Sequence, residues 1–187
     1  MQINETTKEE IKKRAEKMSD FLKMEYLEFC SKKRIEISAL KYCYLELSKL
    51  YEKKLMYNDS VKYLSKLKEI TVDPEIKKEL FLREIELLIK GGYYDNAINF
   101  YEKTIPTLNF YEKSIWRGRL FSLFRLEAEK YETQRKNAWA LKAYEKMNFL
   151  ADGPEKTNIK RKLFELYKKL GKVKESLVIE KELETFS

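Results

Sequence analysis

Apolar residues recur at helical spacing along nearly the whole chain, and the breaks between the runs divide it into hairpin-sized segments. Ile11, Ala15, Met18, Leu22, Met24, Tyr26, Leu27 and Phe29 form the first run. Thr6 or Thr7 is placed to cap it, with Glu9 and Glu10 in the turn where a helix dipole favours negative charge. The pattern predicts one long helix or two short ones, ending near Lys33. Tyr44, Leu47, Ser48 and Tyr51 then fall at i, i+3, i+4 and i+7, the stripe of a helix buried on one side. A turn over Leu55 to Asp59 follows, with Asn58 or Asp59 as the cap of a second helix. Its stripe is Ser60, Val61, Leu64 and Leu67, and the spacing predicts a stop near Asp73-Pro74, because the residue before a proline is pushed out of the helical region.

The sharpest local signal lies further on. Gly91-Gly92-Tyr93-Tyr94 reads as a helix end and a tight turn, where one glycine supplies a positive φ, and Ala97 and Tyr101 then share a face of the next helix. Pro106 ends that helix, and a long helical run from about Phe110 to Tyr131 follows. Ala140-Leu141-Lys142-Ala143-Tyr144-Glu145-Lys146 echoes Ala97-Ile98-Asn99-Phe100-Tyr101-Glu102-Lys103. Asp152-Gly153-Pro154 breaks the chain again before Leu163, Phe164, Tyr167, Gly171, Val173, Ser176 and Leu183. The small residues Ser60, Ala97, Ala140 and Ser176 are 37, 43 and 36 positions apart.

The order of large residue, Leu, small residue and Tyr on one helix, then G-x-Y-x-x-A with an aromatic or Leu four positions later, resembles the tetratricopeptide repeat. Tyr44, Leu47, Ser48, Tyr51, Tyr57, Ser60, Leu64 and Leu67 carry the resemblance first, and Phe81, Ile85, Leu88, Gly92, Tyr94, Ala97 and Tyr101 carry it next. Leu55 stands where that family has Gly, Glu84 where it has Leu, and Glu180 where it has an aromatic. The resemblance implies an all-α fold, a right-handed α-solenoid of about four hairpins in a single domain over 1–187. An N-terminal helical cap would occupy 1–37, with hairpins over 38–74, 75–107, 108–152 and 153–187.

Composition narrows the chemistry. The chain has no histidine, so it offers neither the usual general base near neutral pH nor an imidazole metal ligand. Its two cysteines, Cys30 and Cys43, lack the spacing and companions of a metal site and read as small buried thiols. Gly91-Gly92 is not followed by the spaced glycines or the Gly-Lys-Ser/Thr of a phosphate loop. The expectation is a non-catalytic protein without metal or cofactor. No basic start and apolar run marks a secretory signal, and no apolar stretch reaches membrane length, so a cytoplasmic protein is expected.

In the tetratricopeptide family the first helix of each hairpin lines a concave groove. The resemblance therefore implies that Tyr42, Leu45, Lys49 and Lys53, then Leu82, Arg83, Glu86 and Lys90, then Arg125, Leu126 and Glu129 face a partner. No Asn falls among them, which argues against the C-terminal carboxylate clamp of the family's co-chaperones. Trp116 and Arg117, in an aromatic-and-arginine cluster with Arg119, add a candidate recognition surface. The implied function is a scaffold for protein–protein interaction, an adaptor, assembly factor or chaperone, with another protein or peptide segment, acidic given the Lys and Arg, as partner.

Net charge is +8, and its excess lies toward the C-terminus: residues 155–174 hold eight Lys or Arg against two Glu. Lys160, Arg161, Lys162, Lys168, Lys169, Lys172 and Lys174 are candidates for contacting RNA or DNA phosphates, the plainer reading being a solvated lysine-rich face. A peptide-sensing regulator is a further reading of the family resemblance, and the ends of such an array can pair into homo-oligomers.

Overall fold

In a computed structural model the placement of residues 4–184 is described, and the regular structure among them is helical throughout. Two short helices open the chain. Helix α1 (Lys8–Ala15) begins at Thr7, whose hydroxyl accepts the Glu10 amide while the Glu10 carboxylate accepts the Thr6 and Thr7 amides. Helix α2 is Asp20–Cys30. Ile11, Ala15, Tyr26, Leu27 and Cys30 from this pair are fully buried with Ala39, Cys43 and Leu47 of α3 (Ile37–Lys53). Both cysteines are free thiols in that core.

Helices α4 (Tyr57–Glu69) and α5 (Pro74–Lys90) complete a first compact unit that runs to Gly92. A second unit begins at Tyr93 with α6 (Tyr94–Thr104) and a single 3-10 turn, Ile105–Thr107, around Pro106. It continues through α7 (Phe110–Thr133), α8 (Asn137–Leu150), α9 (Gly153–Lys169) and α10 (Val173–Glu184). The hairpins α3–α4, α7–α8 and α9–α10 lie within units, while the expected 75–107 segment gives α5 to the first unit and α6 to the second.

Two expected boundaries move. Asn58 and Asp59 lie inside α4, which starts at Tyr57, so neither is its cap. Asp73-Pro74 starts α5 instead of stopping α4, which already ends at Glu69. Asp73 Oδ1 accepts the amides of Glu75 and Ile76 at 2.9 and 3.3 Å, and Pro74 occupies the first turn, where its missing N–H costs nothing.

Four of the interhelical turns share one geometry. Leu55, Gly92, Arg135 and Gly171 all adopt positive φ, between 57° and 78°, and the amide of each bonds the carbonyl three residues back. In three of them the next amide reaches a tyrosine carbonyl five residues back: Met56 to Tyr51, Lys136 to Tyr131 and Lys172 to Tyr167. Five residues beyond each turn residue stands a small buried side chain, Ser60, Ala97, Ala140 or Ser176. Between α3 and α4 this lets the backbones approach: the Ser48 and Ser60 hydroxyls are 2.9 Å apart, and Ser60 Oγ donates to the Ser48 carbonyl at 2.7 Å. A left-handed turn residue and a small buried residue five positions on thus recur in the same order in each of these helix pairs.

Glu84, the acidic residue at a position expected to hold Leu, is 0 % exposed. Its carboxylate accepts from Ser65 Oγ at 2.6 Å and from Lys68 Nζ at 2.5 Å, both on α4, and the ammonium also sits 3.5 Å from the Phe81 ring centre. The departure from the repeat pattern is thus a satisfied buried ion pair that fixes α5 against α4. Removing one member leaves the other charge stranded, whereas replacing both with apolar groups does not.

Two stability predictions follow from this packing. Lys68→Met should cost about 3–5 kcal/mol in urea unfolding, and the double variant Lys68→Met/Glu84→Leu should recover most of it. Leu55→Gly should stabilise the chain by about 1 kcal/mol, because a side chain in the left-handed region carries a steric cost that glycine lacks.

Candidate partner-binding faces

In the first unit, ion pairs knit α2, α3 and α5 into one charged face. Lys23 of α2 and Lys49 of α3 both reach Glu46, at 2.7 and 3.0 Å, and Lys53 reaches Asp20. Glu52 of α3 takes Arg83 at 2.5 Å and Lys90 at 3.0 Å, both from α5, and Arg83 also holds Glu86 at 2.8 Å. Burial raises the Glu46 and Glu52 carboxyls, but the ammonium and guanidinium groups beside them outweigh it and leave both below the usual carboxylate range. Nearby, Tyr51 and Tyr63 stack at 5.4 Å and both donate to Glu28; burial, then the Glu28 charge, pushes the Tyr63 phenol up to about 12.

The second unit carries a channel. Three concavities of about 310, 300 and 190 Å³ adjoin through shared wall residues along one face of α7. Phe110, Ser114, Arg117, Phe121 and Arg125 recur at three- and four-residue steps and line it. Tyr101 and Ile105 close the first end; Tyr144, Met147, Ile159 and Lys162 close the other. Arg117 pairs with Asp152, and Arg125 pairs with Glu155 at 3.4 Å while lying 4.9 Å from the Phe121 ring centre. Lys162 reaches Glu132 at 3.5 Å, and Glu132 also accepts the Tyr144 hydroxyl at 3.0 Å. On the wall of the middle concavity is Gly118, exposed and in mid-helix, where an added Cβ would meet nothing within 4 Å. A glycine there weakens α7 relative to alanine, and none of the described residues occupies the space its side chain would take.

The groove residues expected from the sequence divide between these faces and the core. Lys49, Lys53, Arg83 and Lys90 lie on the charged face of the first unit, Leu45 is exposed, and Tyr42 is half-buried against the core. Leu82 and Glu86 are buried, because α5 is enclosed on most of its circumference, so they are core residues and not partner contacts. Trp116 is corrected in the same way: at 6 % exposure it heads the stripe Trp116, Leu120, Phe124, Ala128 that packs into the second unit. Arg117 and Arg125 lie in the channel, while Leu126 and Glu129 are exposed beside it.

Of the basic cluster, Lys160 is buried and paired with Glu182 at 2.9 Å, so it cannot contact phosphate. Arg161, Lys168, Lys169, Lys172 and Lys174 are exposed, with Lys168 and Lys172 lying over the rings of Phe164 and Tyr167. Lys162 belongs to the channel wall. Sequence reasoning missed Phe110, Phe121 and Gly118; the i, i+4 series Ser114, Gly118, Ser122 in an otherwise large-residue helix was the available signal. No helix of the described residues is long and apolar enough to cross a membrane.

No protein-family model and no curated protein sequence matches the chain. Among solved structures it is similar to a Podosopora anserina protein described as a kinesin light chain with nearly identical TPR-like repeats. The identity is 15%, the TM-score 0.37, and the match covers 95% of this chain and 92% of that one.

The ion pairs of the first unit predict acid sensitivity. Because the folded values of Glu46 and Glu52 lie below the ordinary 4.5, their contribution is complete above that pH and is lost as pH falls through the depressed values. The urea midpoint should therefore decline between about pH 4.5 and 3, and less steeply in a Glu46→Gln/Glu52→Gln variant, as followed by circular dichroism.

Proposed function

We propose that this chain is a non-catalytic protein-interaction module that holds a segment of another protein along the α7 channel of its second unit. The observation that carries the reading is the run of adjoining concavities along α7, lined by Phe110, Phe121 and Tyr144 together with Arg117 and Arg125, into which Gly118 on the wall projects no side chain. Phe110, 89 % exposed at one end, and Phe121 within would supply apolar contact. Arg117 and Arg125 are held by the exposed Asp152 and Glu155, and a partner carboxylate would share or replace these partners, since each guanidinium has more N–H donors than one carboxylate uses. An acidic segment fits this better than a neutral one, and an adaptor or assembly role is the function such a channel serves.

The test is affinity capture from the native cell extract with the wild-type chain, a Gly118→Leu variant and an Arg161→Glu/Lys168→Glu/Lys169→Glu variant, each with and without nuclease. Gly118→Leu should leave the thermal melt unchanged or higher, since the added side chain points into open space, and should weaken capture at least tenfold. Partners held by the channel should survive nuclease and the basic-face substitutions. Loss of every partner on nuclease treatment would make the exposed lysines of α9 and α10 the functional surface and overturn the proposal.

A further inference from the structure

A second surface lies in the first unit. Phe21, Glu25 and Glu28 fall at i, i+4 and i+7 on the outward side of α2, opposite the buried Tyr26, Leu27 and Cys30. A groove of about 280 Å³ separates them from the α3–α4 turn, lined by Phe21, Met24, Tyr51 and Met56 and by the carboxylates of Glu25 and Glu28. Phe21 is 63 % exposed, and Leu55, beside Met56, is 70 % exposed while occupying a left-handed backbone position. Neither Glu25 nor Glu28 has a cationic partner among the described residues; Glu28 accepts two phenols, and Lys54 also lines the groove. In a chain of net charge +8, this is a local patch of apolar and acidic character.

The matching chemistry occurs in the other unit. Helix α10 buries Ser176 and Ile179 and turns Leu177 and Val178 outward, both at least half exposed. Lys174 and Lys181 stand three residues to either side of that pair, on the same outward face, exposed and without an ion-pair partner among the described residues. The result is an apolar ridge flanked by two ammonium groups, facing water.

We infer that the α10 ridge of one copy docks into the α2 groove of a second copy, Leu177 and Val178 against Phe21 and Met56, Lys174 and Lys181 toward Glu25 and Glu28. The occupant is assigned by complementarity: the groove needs an apolar group accompanied by cations, and α10 presents both on one face. The contact joins two different surfaces, so a pair held by one such contact keeps one free groove and one free ridge, which either close on each other or recruit further copies. A groove of this size admits few side chains, so the association is expected to be weak and to show only at high protein concentration.

Sedimentation velocity of the whole chain from about 10 to 500 µM, a range suited to weak association, tests this. The weight-average mass should rise with concentration. Phe21→Glu and Leu177→Glu, both at exposed positions and checked for folding by circular dichroism, should each weaken self-association at least tenfold. An equimolar mixture of the two variants retains one intact groove and one intact ridge, and should recover a 1:1 pair that grows no further. A chain that stays monomeric throughout overturns the inference, as does association that either single variant leaves unchanged. Failure of the mixture to pair overturns it too, since only a contact of like with like would lose association in both variants and stay lost on mixing. A monomeric chain whose Phe21→Glu variant loses some other captured protein would hand the groove to a foreign partner.

Discussion

The close approach of paired helices is the constraint on which the rest of this structure depends. An antiparallel pair can come together only if the chain reverses within three residues and no large side chain intervenes at the first crossing. Both conditions are met by a left-handed residue and, five positions later, a serine or alanine. At the α3–α4 crossing the two serine hydroxyls are within hydrogen-bond distance, a separation a leucine would prohibit. With that crossing fixed, the larger stripes on either side fall into register, and the side chains left over at the helix surfaces become the charged face of one unit and the channel of the other.

This part of the fold was legible because it is periodic. The turn residues Leu55, Gly92, Arg135 and Gly171 repeat the 37, 43 and 36 spacing of the small residues, so finding one series locates the other. Arg135 was invisible as a turn residue because arginine carries no left-handed preference; only the geometry of its neighbours puts it there. The identity of Glu84 was equally unreadable. A carboxylate at a core position announces a conflict, and its resolution by Ser65 and Lys68 lies on a different helix, sixteen or more residues away.

The candidate site was less legible, for a related reason. Assigning groove positions by repeat pattern presumes that each first helix is enclosed to the same extent. Helix α5 is buried on most sides and α7 is not, so the same pattern places Leu82 and Glu86 in the core and Arg117 and Arg125 on the surface. Trp116 and Arg117 are adjacent in sequence yet a hundred degrees apart around the helix, which is why one fills the core while its neighbour points into the channel. Net charge misleads in a similar way. Lys23, Lys49, Lys53, Arg83 and Lys90 are each held by Glu46, Glu52 or Asp20, so a tally of basic residues overstates how many are free to meet a partner.

The alternation of turn residues also sets what each reversal costs. Glycine accepts a positive φ without a steric penalty, so the reversals at Gly92 and Gly171 do not draw on the packing around them for that. Those at Leu55 and Arg135 oppose the preference of their own residues by about 1–2 kcal/mol each, a cost that the packing of the flanking helices offsets. The α3–α4 and α7–α8 pairs therefore carry stored strain in their loops that the α9–α10 pair does not.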